Sequence, residues 1–103
     1  MVLTDDLEMG AIVKNYGIGA ASTMAVLAGH DMVCICAGID SIHEAHSAIS
    51  AAVASGKISM ERVDASVKRI LRLKSELQIP TEFDPDRLAY LSDDIARLTQ
   101  RSA

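Results

Sequence analysis

VLTDDLEMGAI, residues 2–12, decides how this chain is read. Val2 to Thr4 is short, apolar and partly β-branched, the composition of a strand. Asp5 and Asp6 follow at once. Leu7, Ala11 and Ile12 then recur at helical spacing until Gly17. Two adjacent carboxylates at the end of an apolar run can be a reactive site. An aspartate after a strand is equally a common helix cap, because its side chain accepts the unpaired N–H groups of the first turn. From the residues alone both readings of Asp5 stand.

Outward from this stretch the pattern repeats. Gly19 opens a second helical run, AASTMAVLAG, closed by Gly29. The next segment, DMVCICAG, is apolar on both faces, which marks a parallel strand covered by helices on either side. Ser41 and Glu44 have the spacing of a capping box, followed by the stripe Ile42, Ala45, Ile49, Ala52 and Val53 and a stop at Gly56. Ser59 is placed to cap another helix with the stripe Val63, Val67, Ile70, Leu71 and Leu77. Lys68, Arg69, Arg72 and Lys74 gather toward its negative end, and Pro80 stops it. In FDPDRLAYLSDDIARLTQ, Asp84 caps, Pro85 suits the first helical position, and Leu88, Leu91, Ile95 and Leu98 share a face. QIPTEFDP is the linker-like stretch, so the chain divides into residues 1–78 and a linker with an amphipathic helix over 79–103. The order is βαβα with trailing helices. A strand, crossover helix and parallel strand normally form a right-handed unit of a larger sheet. Two parallel strands alone have open edges, which predict self-association.

Composition narrows the function. Half of the 103 residues are apolar, enough for a core built from Ala, Val, Ile, Leu and Met. The net charge of −4 argues against a nucleic-acid partner. No apolar run is long enough to cross a bilayer and no signal-peptide pattern is present, so a membrane partner is not expected. Cys34 and Cys36 would share one face of a strand. As close neighbours they are poor disulfide partners, and they read as small buried hydrophobes whose reduced state fits a cytoplasmic protein. Neither a metal nor another cofactor is expected. His43 and His46 flank Glu44 without the His-Glu-x-x-His spacing and fall on a polar helix face. GIGAAS follows a helix rather than a strand, so it is no dinucleotide loop. A receiver-like fold is disfavoured because Lys14, Lys57, Lys68 and Lys74 lie on helices or turns.

Taken together, VLTDDLEMGAI, NYGIG, LAGHDMVCIC and ISMERVDASVKRILRLK resemble the end of the catalytic barrel of glycoside hydrolase family 3, in its β-N-acetylhexosaminidase branch. The resemblance runs from Val2 to Leu77. It implies an α/β fold, a βαβα fragment comprising the last two β/α units of a (β/α)8 TIM barrel with trailing C-terminal helices. By position in the T-D-D-L motif it implies that Asp5 is the catalytic nucleophile of a retaining exo-enzyme acting on N-acetylglucosamine-containing, cell-wall-derived glycans. Asp6 would point away from Asp5 under strand alternation and either caps the next helix or orients the turn, while Met9 lines the sugar pocket by its place in the motif. The family's histidine–aspartate acid/base and its sugar-binding Lys-His segment have no match in these residues. The expectation is therefore a fragment inactive by itself. The alternative is a non-enzymatic module that associates through its open strand edges.

Overall fold

The computed structural model describes residues 1–78 and 82–101. Pro80, the expected helix stop, lies outside the described residues. The elements run β1 (Leu3–Asp6), α1 (Gly10–Val13), α2 (Ile18–Leu27), β2 (Met32–Cys34), α3 (Ile39–Ala54), α4 (Met60–Ser75) and α5 (Pro85–Arg101). Among the described residues the chain is thus mixed α/β, mostly helical, with one two-stranded parallel sheet. β1 extends further than its apolar residues predict, so Asp5 and Asp6 are its last two positions. Conversely, the first helical run shrinks to Gly10–Val13. The Leu7 N–H donates to the Cys34 carbonyl at 3.0 Å, which holds Leu7 beside the sheet rather than in a helix.

The register pairs Leu3 with Met32 and Asp6 with Cys34, three residues of advance on β1 against two on β2. Such an irregularity re-aims side chains locally, and here it falls on the Thr-Asp-Asp end. The Thr4 hydroxyl accepts the Cys34 N–H at 2.9 Å. Leu7, Ile18, Ala21 and Ala45 form the buried cluster, with Ile12, Val33 and Ile35 packed against it.

α2 lies closely on α3. A Cβ at Gly19 would stand 2.9 Å from the Ala48 Cβ, so glycine here permits the approach. The Glu44 carboxylate accepts the Gly19 N–H at 2.9 Å. That contact replaces the expected Ser41–Glu44 capping box. α3 begins at Ile39 with Gly38 as its N-cap and no side-chain cap, so Ser41 is already within the first turn. Glu44 instead serves the positive N-terminal end of α2, where backbone N–H groups lack partners. The other expected signals hold. Gly29 and Gly56 adopt positive φ after α2 and α3. Ser59 Oγ accepts the Arg62 N–H at 3.2 Å, and Asp84 accepts the Arg87 N–H at 3.0 Å. Of the expected stripe, Val63 and Ile70 are half-buried, Val67 and Leu71 are exposed, and Leu77 is exposed beyond the end of α4 at Ser75. On α5, Leu88, Leu91, Ile95 and Leu98 are exposed as well.

Asp31, just before β2, ties α4 to the sheet. Its carboxylate accepts from Arg69 Nη2 at 2.7 Å and Nε at 3.0 Å, from Ser66 Oγ at 2.7 Å, and from the Val2 N–H at 2.9 Å. Arg62, one turn before Ser66, donates to the His30 carbonyl at 2.8 Å. The Asp31 side chain is 1% exposed, so its solvation comes almost wholly from these donors. They hold its carboxyl far below the usual carboxylate range, the Arg69 hydrogen bond first and the Ser66 hydroxyl second.

A lowered carboxyl contributes stability that is complete above the unfolded value, about 3.9, and is lost as pH falls toward the folded one. Asp31→Asn is therefore expected to lower the urea midpoint at neutral pH, and the gap between parent and variant to narrow between about pH 5 and pH 2. A gap unchanged across that range would show that the charge contributes nothing. Gly19→Val, whose side chain meets the Ala48 methyl, is expected to cost about 1–3 kcal/mol by overpacking, measured by the same denaturation. Unchanged stability would mean that α2 and α3 are free to separate.

Candidate active site

The carboxylates of the opening stretch converge with the loop that follows β2. Asp5, near the C-terminal end of β1, is exposed, and its Oδ1 accepts the Asp6 N–H at 2.8 Å. This carboxylate is turned back onto the strand end rather than capping α1, whose N-cap is Met9 without a side-chain cap. Asp6 is half-buried and its Oδ1 accepts the Glu8 N–H at 3.1 Å. The Asp6 carbonyl accepts the Met9 N–H at 3.3 Å. Of its two expected roles, Asp6 thus takes the turn rather than the cap of α1, whose N-cap is Met9. Burial alternates along β1, yet Asp5 and Asp6 both contribute to the wall of one cavity.

That cavity is an apolar recess of about 500 Å³ between β1, α1 and α2. Met9, expected beside a sugar, lines it together with Tyr16, Met24 and His30. His30 Nδ1 lies 3.1 Å from the Ala25 carbonyl, a contact that seats the ring at the end of α2. A carboxylate at the mouth of an apolar recess can attack an electrophilic carbon or stabilise a developing cation, provided a proton donor stands opposite.

Glu8 is the residue that sequence reasoning passed over. Its Oε2 accepts the Ala37 N–H at 2.7 Å, and both carboxylate oxygens accept the Gly38 N–H, at 3.1 and 3.2 Å. The Ala37 N–H, followed by the Ser41 hydroxyl, holds the Glu8 carboxyl below its ordinary value. Glu8 therefore joins the β1–α1 turn to the start of α3, and is engaged as an acceptor rather than available as a proton donor. In the sequence it is one glutamate in a helix-like run. The one signal that could have found it is its place three residues after Asp5 in a turn facing a glycine-ended strand.

The cysteines depart from expectation. Cys34 is half-buried and Cys36 exposed, so they are not buried hydrophobes. β2 ends at Cys34, and beyond the strand end the two Sγ atoms stand 3.4 Å apart. His43 and His46 are both exposed on α3. Among the described residues no three His, Cys, Asp or Glu side chains gather as a metal site, and no helix is long and apolar enough to cross a membrane.

Because Glu8 is the acceptor of the Ala37 and Gly38 amides, Glu8→Ala is expected to raise the hydrogen-exchange rates of those two amides at least about tenfold, against little change at Ala52 in α3. Equal protection in both proteins would remove Glu8 from this role.

Comparisons with known proteins bear on the family of the chain. The family described as the glycosyl hydrolase family 3 N terminal domain matches residues 1–73. No curated protein sequence matches the chain significantly. Among solved structures, a glycoside hydrolase family 3 beta-N-acetylglucosaminidase from Paenibacillus sp. str. FPU-7 is similar, with a TM-score of 0.73 and 39% identity. The match covers 82% of this chain and 17% of that one, so the chain spans a small part of its relative. With strand-end carboxylates, a family match over most of its length and a like-folded glycosidase segment, this chain belongs to glycoside hydrolase family 3.

Proposed function

We propose that the chain carries the nucleophile-bearing segment of a retaining β-N-acetylglucosaminidase, with Asp5 as the nucleophile. The observation that carries this reading is the exposed Asp5 carboxylate at the C-terminal end of β1, on the wall of the apolar recess. In a (β/α)8 barrel, chemistry sits at that end of the strands, and β1 and β2 would be two adjacent strands of such a barrel. Asp5 attacks the anomeric carbon of a terminal N-acetylglucosamine, the glycosyl–aspartate ester forms as the glycosidic C–O bond breaks, and water later opens the ester. The leaving oxygen needs a proton, which Asp5 cannot supply while acting as nucleophile. Glu8 is occupied by backbone donors. By the family resemblance the acid/base is a histidine–aspartate pair that has no match in these 103 residues, and on that reading the chain by itself does not turn over. Asp6 holds the turn, and Met9 offers an apolar contact to the sugar ring. Cell-wall-derived glycans are the substrate class, with no metal or other cofactor required.

Replacing the matching segment of the Paenibacillus enzyme with residues 1–73 tests this. The chimera is expected to hydrolyse an aryl N-acetylglucosaminide, and Asp5→Asn within it to lose at least about 10³-fold in kcat. Asp6→Asn is expected to be milder. Turnover that survives Asp5→Asn would remove the nucleophile assignment. Robust hydrolysis by the purified 103-residue chain would overturn its inactivity.

A second reading has one observation behind it. Leu3, Met9 and Met24 are exposed and line the recess beside β1, and an uncovered strand edge beside apolar side chains invites pairing. On this reading the chain self-associates. Light scattering after size exclusion is expected to give a mass above the 11.0 kDa monomer, and a monomer at all concentrations would dismiss it.

A further inference from the structure

The cysteine pair at the end of β2 has a geometry that its sequence spacing does not advertise. Residues two apart in a straight strand point the same way with their side chains splayed along it. Here β2 stops at Cys34, Ile35 and Cys36 lie past the strand end, and the chain bends only at Ala37, next to Gly38, which Glu8 holds from across the sheet. Past the strand end the two Sγ atoms stand 3.4 Å apart. Cys36 is exposed, whereas Cys34 is half-buried behind it. The pair stands beside the candidate active site, since Cys34 is the register partner of Asp6.

We infer that Cys34 and Cys36 are a thiol-modification site, closing to a reversible intrachain disulfide by exchange with a low-molecular-weight disulfide. The exposed Cys36 meets the oxidant first. Its thiolate attacks one sulfur of the external disulfide, breaks that S–S bond and expels one thiolate, leaving a mixed disulfide. Cys34 Sγ, already adjacent, gives up its proton and attacks Cys36 Sγ, expelling the second thiolate. One S–S bond is broken and one made, two electrons pass to the oxidant, and the two cysteine protons end on the two released thiols. The Cys34 contact, burial and the nearby Asp6 charge push the Cys36 thiol up to about 11. Its thiolate is therefore scarce but strongly nucleophilic once formed. The resulting bridge spans one residue and is strained and partly exposed, the features of a labile disulfide rather than a structural one. It would fix residues 34–36 directly before the two amides that Glu8 accepts.

The purified chain, equilibrated with graded mixtures of reduced and oxidised glutathione, quenched in acid and alkylated with N-ethylmaleimide, is read by intact mass. The expected product is a monomer lighter by two hydrogens that takes up no alkylating agent and returns to the dithiol with dithiothreitol. Cys36→Ser and Cys34→Ser should each abolish that species and leave one alkylatable thiol. Two alkylated thiols at every ratio, or only glutathione adducts and dimers, would overturn the inference. The same titration in urea isolates the contribution of the fold. The native chain is expected to close at least about tenfold more readily than the unfolded one, equal to about 30 mV. Equal or easier closure in urea would show that the fold does not preset the pair. None of these readouts depends on glycosidase activity.

Discussion

Where the sheet meets α4, the Asp31 carboxylate, 1% exposed, is held by guanidinium, hydroxyl and amide donors. Two parallel strands of three and four residues are a small basis for a fold, and a two-stranded sheet has little independent stability. Asp31 joins the Val2 backbone, just before β1, to Ser66 and Arg69 on α4. With its side chain almost wholly withdrawn from water, removing any one donor leaves charge less well compensated. Arg62, Ser66 and Arg69 fall at helical spacings of four and three, so one face of α4 presents all three donors together. The row of basic residues that reads as a simple response to the helix dipole is in part this docking surface. Arg72 and Lys74 remain for the last turn.

At the opposite end of the same strands a second carboxylate does a comparable task. Glu8 gathers the amides of Ala37 and Gly38, much as Asp31 gathers guanidinium, hydroxyl and amide donors. β1 and β2 are thus pinned at both ends by acidic side chains, and the stretch between them is where the register slips. That slip lies at Thr4 to Asp6, the segment holding the candidate nucleophile. A rigid frame around a locally irregular strand end keeps an exposed carboxylate in a defined position.

The apolar side chains beside the strands suit the proposed place of this chain in a larger parallel sheet. Exposed Leu3, Met9 and Met24 flank the recess beside β1, and exposed Ile42 with half-buried Val33, Ile35 and Ile49 lines a smaller one beside β2. Apolar residues beside uncovered strand edges are what further parallel strands and their helices would bury. The solved glycosidase that this chain resembles is much longer, with 17% of its length matched.

Much of the element order was legible because the signals are local. Gly29 and Gly56 take positive φ, Ser59 and Asp84 cap, and Pro85 opens its helix, each a property of one residue and its near neighbours. The T-D-D-L strand end, read together with the NYGIG, LAGHDMVCIC and ISMERVDASVKRILRLK stretches, pointed to the family. Contacts between distant residues decided the rest. Glu44 serves the end of α2 rather than a local capping partner, because α3 starts at Ile39 and Ser41 is already inside its first turn. Glu8, Asp31 and the Cys34–Cys36 contact were equally hidden, since their roles depend on partners about 30 residues away or on where a strand stops. Local signals in the residues were enough for the element order and for an aspartate at a strand end, though not for the bounds of β1 and α1. Which acidic side chains hold the frame follows from folding, because it depends on which backbone, guanidinium and hydroxyl donors are brought to them.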